Sequence, residues 1–149
     1  MKKVAVIFLF VFCVGNMISA EEVKWLSWAK GYELAKKENK TMMVFVQTSW
    51  CHWCKRMNDK TFSNGDVSSL ISKNLIPVKL DPESKDKYTY EGKEYSKSEL
   101  LGVLSDNNFR GIPATIFYNP KTKSSNLEVG FIEAKEFKKI LKKKSKKTK

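Results

Sequence analysis

The chain has 149 residues, 42% of them hydrophobic and 30% charged, with 28 Lys and Arg against 16 Asp and Glu for a formal charge of +12. Eight lysines fall between Lys138 and Lys149 with no acid and no aromatic residue among them, so the basicity is a tail and not a groove built to stack nucleic-acid bases. Three cysteines, Cys13, Cys51 and Cys54, are too few and too unevenly spaced for a disulfide-stapled scaffold, and the length suits one domain with one core.

Lys2 and Lys3 head an unbroken apolar run, Val4 to Val14, and Gly15 to Ala20 turns small and mixed. That order reads as a secretory signal peptide over residues 1–20, with Ala20 the last residue before cleavage and Ile18 a bulky occupant of the third position back. The run falls short of the ~20 apolar residues that a spanning helix needs, which disfavours the alternative of an uncleaved anchor. Cys13 would leave with the signal, and Phe12 before it is too large for a lipoprotein site. The expected organisation is therefore a single domain over 21–141, periplasmic or otherwise exported, followed by a lysine-rich tail over 142–149 that reads as a solvated terminus.

Trp25, Trp28, Ala29, Tyr32 and Ala35 recur at helical spacing, predicting a helix from Trp25 to Lys37 that Asn39-Lys40 ends. Thr41 to Gln47 reads as a buried strand, and a helix is expected from Cys51 to about Thr61. Asn64-Gly65 breaks the pattern, with Asp66 expected to cap a helix through Ile71. Leu75 to Leu80 reads as a strand ended by Asp81-Pro82, and Glu83 to Tyr95 as a loop or hairpin. A helix follows from Ser98 to Asn107, with Ser96 or Ser98 as its cap. Arg110 to Pro113 turns into a strand, Ala114 to Tyr118; Asn119-Pro120-Lys121 turns back into a strand, Leu127 to Phe131. An amphipathic helix, Glu133 to Lys144, closes the chain with Phe137, Ile140 and Leu141 inward. This order implies an α/β fold, a mixed central sheet flanked by helices.

The chemistry centres on Trp50-Cys51-His52-Trp53-Cys54. A three-residue separation sets both sulfurs on one helical face, within bridging distance, and so small a loop stabilises little by chain entropy. A helix N-terminus offers free N–H groups and partial positive charge, which favour a thiolate, the attacking species in disulfide exchange. Cys51, at the exposed helix start, is expected to attack and Cys54 to resolve. A protonated His52 would favour the thiolate further and make the pair more oxidising; the alternative is an exposed imidazole with little effect. Trp50 and Trp53 are candidates for an apolar contact surface for substrate. Covalent haem would need His where Lys55 stands, and a closed zinc site would need more ligands than two cysteines and His52 supply, so neither metal nor cofactor is expected.

Trp50 to Lys55 (Trp-Cys-x-x-Cys-Lys) together with Arg110-Gly111-Ile112-Pro113 resembles the thioredoxin superfamily over roughly Trp28 to Ile140. The resemblance implies a thioredoxin fold, a cis Pro113 lying against the cysteine pair, and an Ile112 backbone that pairs with the substrate chain as an added strand. Phe45 stands where the family carries a buried Asp, while Lys79 matches the Lys usually near it, which puts the usual proton route in doubt. The inner His-Trp pair and the long segment from Asp81 to Asn108 look more like exported members of the superfamily than like cytosolic thioredoxin. The function implied is thiol–disulfide exchange on protein substrates by a monomer, as a reductase before an oxidase or isomerase, with a membrane electron donor as in some such proteins. A redox-inactive binding module is the alternative from another class.

Overall fold

The structure, a computed structural model, describes residues 22–146. The expected signal segment, with Lys2, Lys3, Cys13 and Ala20, lies outside the described residues, as do Lys147, Thr148 and Lys149 of the tail.

Four strands make the central sheet in the order β2-β1-β5-β6. β1 (Met42–Val46) runs parallel to β2 (Ile76–Leu80) and antiparallel to β5 (Ala114–Tyr118), and β5 pairs antiparallel with β6 (Ser125–Val129). Every residue of β1 and β5 is buried, which is why both read as continuous apolar runs and not as alternating strands. Alternation of side chains still sorts them onto two faces. Met42, Val44, Val46, Ala114, Ile116 and Tyr118 join one core, with α1 (Trp28–Glu38) and α4 (Lys97–Leu104). Met43, Phe45 and Phe117 join the other, with α2 (His52–Met57), α3 (Gly65–Asn74) and α5 (Ala134–Lys146). Cys51 and Cys54 belong to this second core.

Several boundaries differ from expectation for identifiable reasons. α1 starts at Trp28, and Trp25 is outside it. Leu26 has its N–H bonded to the Pro77 carbonyl at 3.0 Å and its carbonyl to the Lys79 N–H at 3.1 Å, so residues before Ser27 are committed to the edge of β2. Ala29 is exposed, and Gly31 takes its place on the buried face. α3 is capped by Asn64, whose side chain accepts from the N–H groups of Asp66 and Val67; Asp66 instead sits in the first turn. The helix after Cys54 passes into a π-helical stretch, Asn58–Phe62. β6 begins two residues earlier than expected because Asn119 accepts from the N–H groups of Lys121 and Thr122 and sets Tyr118 opposite Ser125.

The polar segment after β2 is a hairpin, β3 (Tyr88–Tyr90) and β4 (Lys93–Tyr95), turned by Glu91 and Gly92 at φ 50° and 75°. Trp28 Nε1 donates to the Thr89 carbonyl at 2.9 Å and anchors it to α1. Ser96 caps α4 in a capping box with Glu99, and left-handed Asp106 and Asn107 end that helix short of its expected limit. α5 runs two residues past Lys144, to Lys146. Among the described residues no helix is long and apolar enough to cross a membrane.

Candidate active site

β1 ends at Val46, and the turn after it delivers Cys51 as the N-cap of α2. Cys51 and Cys54 are joined in a disulfide, their Cα atoms 5.2 Å apart. The Cys54 N–H donates to Cys51 Sγ at 3.1 Å, so one of the free amides at the helix start is spent on sulfur. Cys51 is less exposed than its expected place at the helix start suggests, at 6%, but it remains the more accessible of the pair, Cys54 being at 1%. One turn on, Asn58 Nδ2 donates to the Cys54 carbonyl at 3.0 Å and to Gln47 Oε1 at 2.8 Å, tying the helix to the end of β1.

The Ile112–Pro113 bond is cis. Pro113 is buried immediately before β5, and Ile112 packs against both cores, including the cluster that contains the cysteines. The Pro113 carbonyl accepts from the Gly130 N–H at 2.7 Å, which fixes the loop to the turn beyond β6.

Trp50 and Trp53 are 67% and 51% exposed, large apolar surfaces held beside a disulfide. Neither is loose. Trp50 Nε1 donates to Glu83 Oε2 at 2.9 Å. Trp53 lies 5.6 Å from the Phe131 ring, and the Arg56 guanidinium sits 5.4 Å from the Trp53 centroid and 5.1 Å from that of Phe131. Exposed His52 meets the edge of Trp53 at 5.9 Å. Sequence reading missed Glu83, Asn58, Arg56 and Phe131. Asn58 left a faint signal, a poor helix former four residues after Cys54; the others become visible only when distant loops meet.

Phe45 is fully buried, 4.8 Å from Phe62 and 5.7 Å from Trp25 between ring centroids. Lys79 Nζ lies 4.9 Å from the Trp25 centroid, and burial holds its ammonium below the ordinary lysine pKa against the opposing pull of Glu22. Among the described residues the buried polar side chains are Thr48, Thr61, Ser68, Ser105 and Thr115, none of them a carboxylate. Among the described residues no three His, Cys, Asp or Glu side chains converge as a metal site requires.

Comparison with known proteins gives the same picture. The family model Thioredox_DsbH, described as "Protein of unknown function, DUF255", matches residues 16–142. "Spermatogenesis-associated protein 20" of Homo sapiens is 36% identical over 99 residues, which are 66% of this chain and 12% of that protein. The chain thus spans only a small part of that relative's length. "Disulfide bond reductase DsbH" of Chlamydia pneumoniae is 23% identical over 107 residues, 71% of this chain and 62% of the relative. A thioredoxin from Thermus thermophilus superposes with a TM-score of 0.63 at 21% identity, covering 86% of this chain and 91% of the other, and bears out the thioredoxin fold.

Proposed function

This chain belongs to the Thioredox_DsbH family of thioredoxin-like proteins, and from that premise we propose that it exchanges disulfides with other proteins through Cys51 and Cys54, in the reductive direction. The observation that carries the reading is the bridged pair itself, seated at a helix N-terminus with an amide N–H on Cys51 Sγ and a cis proline loop packed against the same core. The reductive direction draws support from the relative named as a disulfide bond reductase.

The cycle begins with both cysteines reduced. The Cys51 thiolate attacks one sulfur of a substrate cystine, forming a mixed disulfide and releasing the other substrate sulfur as a thiolate that takes up a proton. Cys54 loses its proton and attacks Cys51 Sγ, which breaks the mixed disulfide and frees the second substrate thiol. Two electrons have passed to the substrate, and the pair is left oxidised, to be restored by a thiol donor. Amide donation to Cys51 Sγ stabilises the thiolate as attacker and as leaving group. Trp50 and Trp53 supply apolar contact for the polypeptide around the cystine, and the Ile112 backbone aligns it as an added strand. His52, one residue into α2, adds positive charge when protonated and biases the pair toward the thiolate. The apolar run at residues 4–14 directs the chain to an oxidising compartment, where such a reductase acts on exported proteins.

Insulin reduction tests the proposal. Cys51→Ser and Cys54→Ser should each abolish turnover, and Cys54→Ser should accumulate mixed disulfides through Cys51. Turnover that survives both changes would overturn the assignment of the pair, and a parent protein with no turnover would leave only a binding role. A reduction potential near the thioredoxin value of about −270 mV fits a reductant, and one near about −120 mV would reverse the direction.

A further inference from the structure

Of the five buried polar side chains among the described residues, three have evident partners: Thr61 donates to the Ile132 carbonyl, Ser68 to that of Gly65 and Ser105 to that of Leu101. Two hydroxyls are left with no hydrogen bond, Thr48 Oγ1 and Thr115 Oγ1. A buried hydroxyl without a partner costs on the order of 1–3 kcal/mol, so each one demands an explanation.

Thr115 is 1% exposed and stands on β5 directly opposite Phe45 in the antiparallel register. Side chains of such a pair project to the same face with Cβ atoms about 5 Å apart. That face is the core containing Phe45, Cys51 and Cys54, two residues beyond cis Pro113. The other buried side chains of that core, Met43, Met57, Phe62 and Phe117 among them, offer no strong hydrogen-bond acceptor. In the oxidised pair there is no S–H to donate, and a bridged sulfur is only a weak acceptor.

We propose that Thr115 is a positioning residue for the redox pair, its hydroxyl lacking a partner in the disulfide state and hydrogen-bonding Cys54 Sγ once the pair is reduced. This rests on the exchange reading above. Reduction adds two electrons and two protons, breaks the Cys51–Cys54 bond and leaves Cys54 as a buried thiol. Its S–H then donates to Thr115 Oγ1. When Cys54 gives up that proton, which is balanced by the proton the departing substrate sulfur takes up, and attacks Cys51, the hydroxyl rotates and donates to the thiolate. A hydroxyl does both, since it carries one donor and two acceptor positions. The bond exists only in the reduced protein, so it raises the reduction potential, and the unmet hydroxyl of the oxidised form acts in the same direction.

The test is equilibration of the full chain with reduced and oxidised glutathione, scored by thiol trapping. Thr115→Val, of the same shape without the hydroxyl, should make the pair harder to reduce by about five- to tenfold, which is about 20–30 mV more negative. Thr115→Ser should keep the parent value, and Thr115→Ala should move with Val despite its smaller size. Val equal to the parent, or Ser shifting as far as Val, would overturn the assignment and leave the exchange reading intact. A parent pair that does not equilibrate with glutathione would sink both.

Discussion

The two indoles beside the disulfide are held by contacts that cost them little exposure. Trp50 leans on Glu83 through one hydrogen bond, and Trp53 is clamped between His52, Arg56 and Phe131. Aromatic surface fixed in this way contributes contact area at a low cost in conformational entropy. Replacing Trp50 by Ala should raise KM for a protein disulfide about three- to tenfold, or about 0.7–1.4 kcal/mol, with kcat nearly unchanged. Glu83→Ala should move KM the same way by less. A small aromatic disulfide, too short to reach the indole, should react at the parent rate with both variants. Equal losses on both substrates would mean that the indole supports the cysteines and not the substrate.

Elements in this protein depend on single close approaches. A methyl at Gly31 would fall 2.1 Å from Val78 Cγ2, so α1 rests directly on β2 where no side chain fits between them. Gly31→Ala should destabilise by about 1–3 kcal/mol, read as a lower urea midpoint at unchanged slope. The sequence shows the period of α1 but not which residue must be absent for it to dock. The same limit explains what else was legible. Cys51, Cys54 and Pro113 announce themselves because their chemistry is local: a bridge between near neighbours, a proline before a strand. β1 and β5 were readable because burial on both faces leaves an unbroken apolar run. Trp25 was misassigned because its fate is decided by hydrogen bonds from residues fifty positions away, and Thr115 drew no attention because a threonine in a strand is ordinary until its surroundings are known.

Across the whole molecule the excess positive charge is concentrated on α5 and beyond, where Glu136 of the same helix pairs with Lys139 and an acid from another element meets Lys138. Lys138 pairs with Asp66 at the first turn of α3 and holds its carboxyl below the usual carboxylate range. A carboxyl depressed in the folded state contributes its stability fully above the unfolded value and loses it as pH falls through the folded one. The thermal midpoints of the parent and Asp66→Asn should therefore differ at neutral pH and converge below about pH 4. The difference should also shrink in high salt, because the pair is open to solvent. A gap that persists in acid would mean that the effect does not come from the charge of the carboxylate.

The sheet divides the labour of the molecule. The β3–β4 hairpin packs its tyrosines on the α1 side, while the sulfurs belong to the opposite core. At the hairpin tip Gly92 has open space around it. A tether or affinity handle threaded into the backbone at that bend would anchor the protein to a solid support and leave its reactive edge facing the bulk.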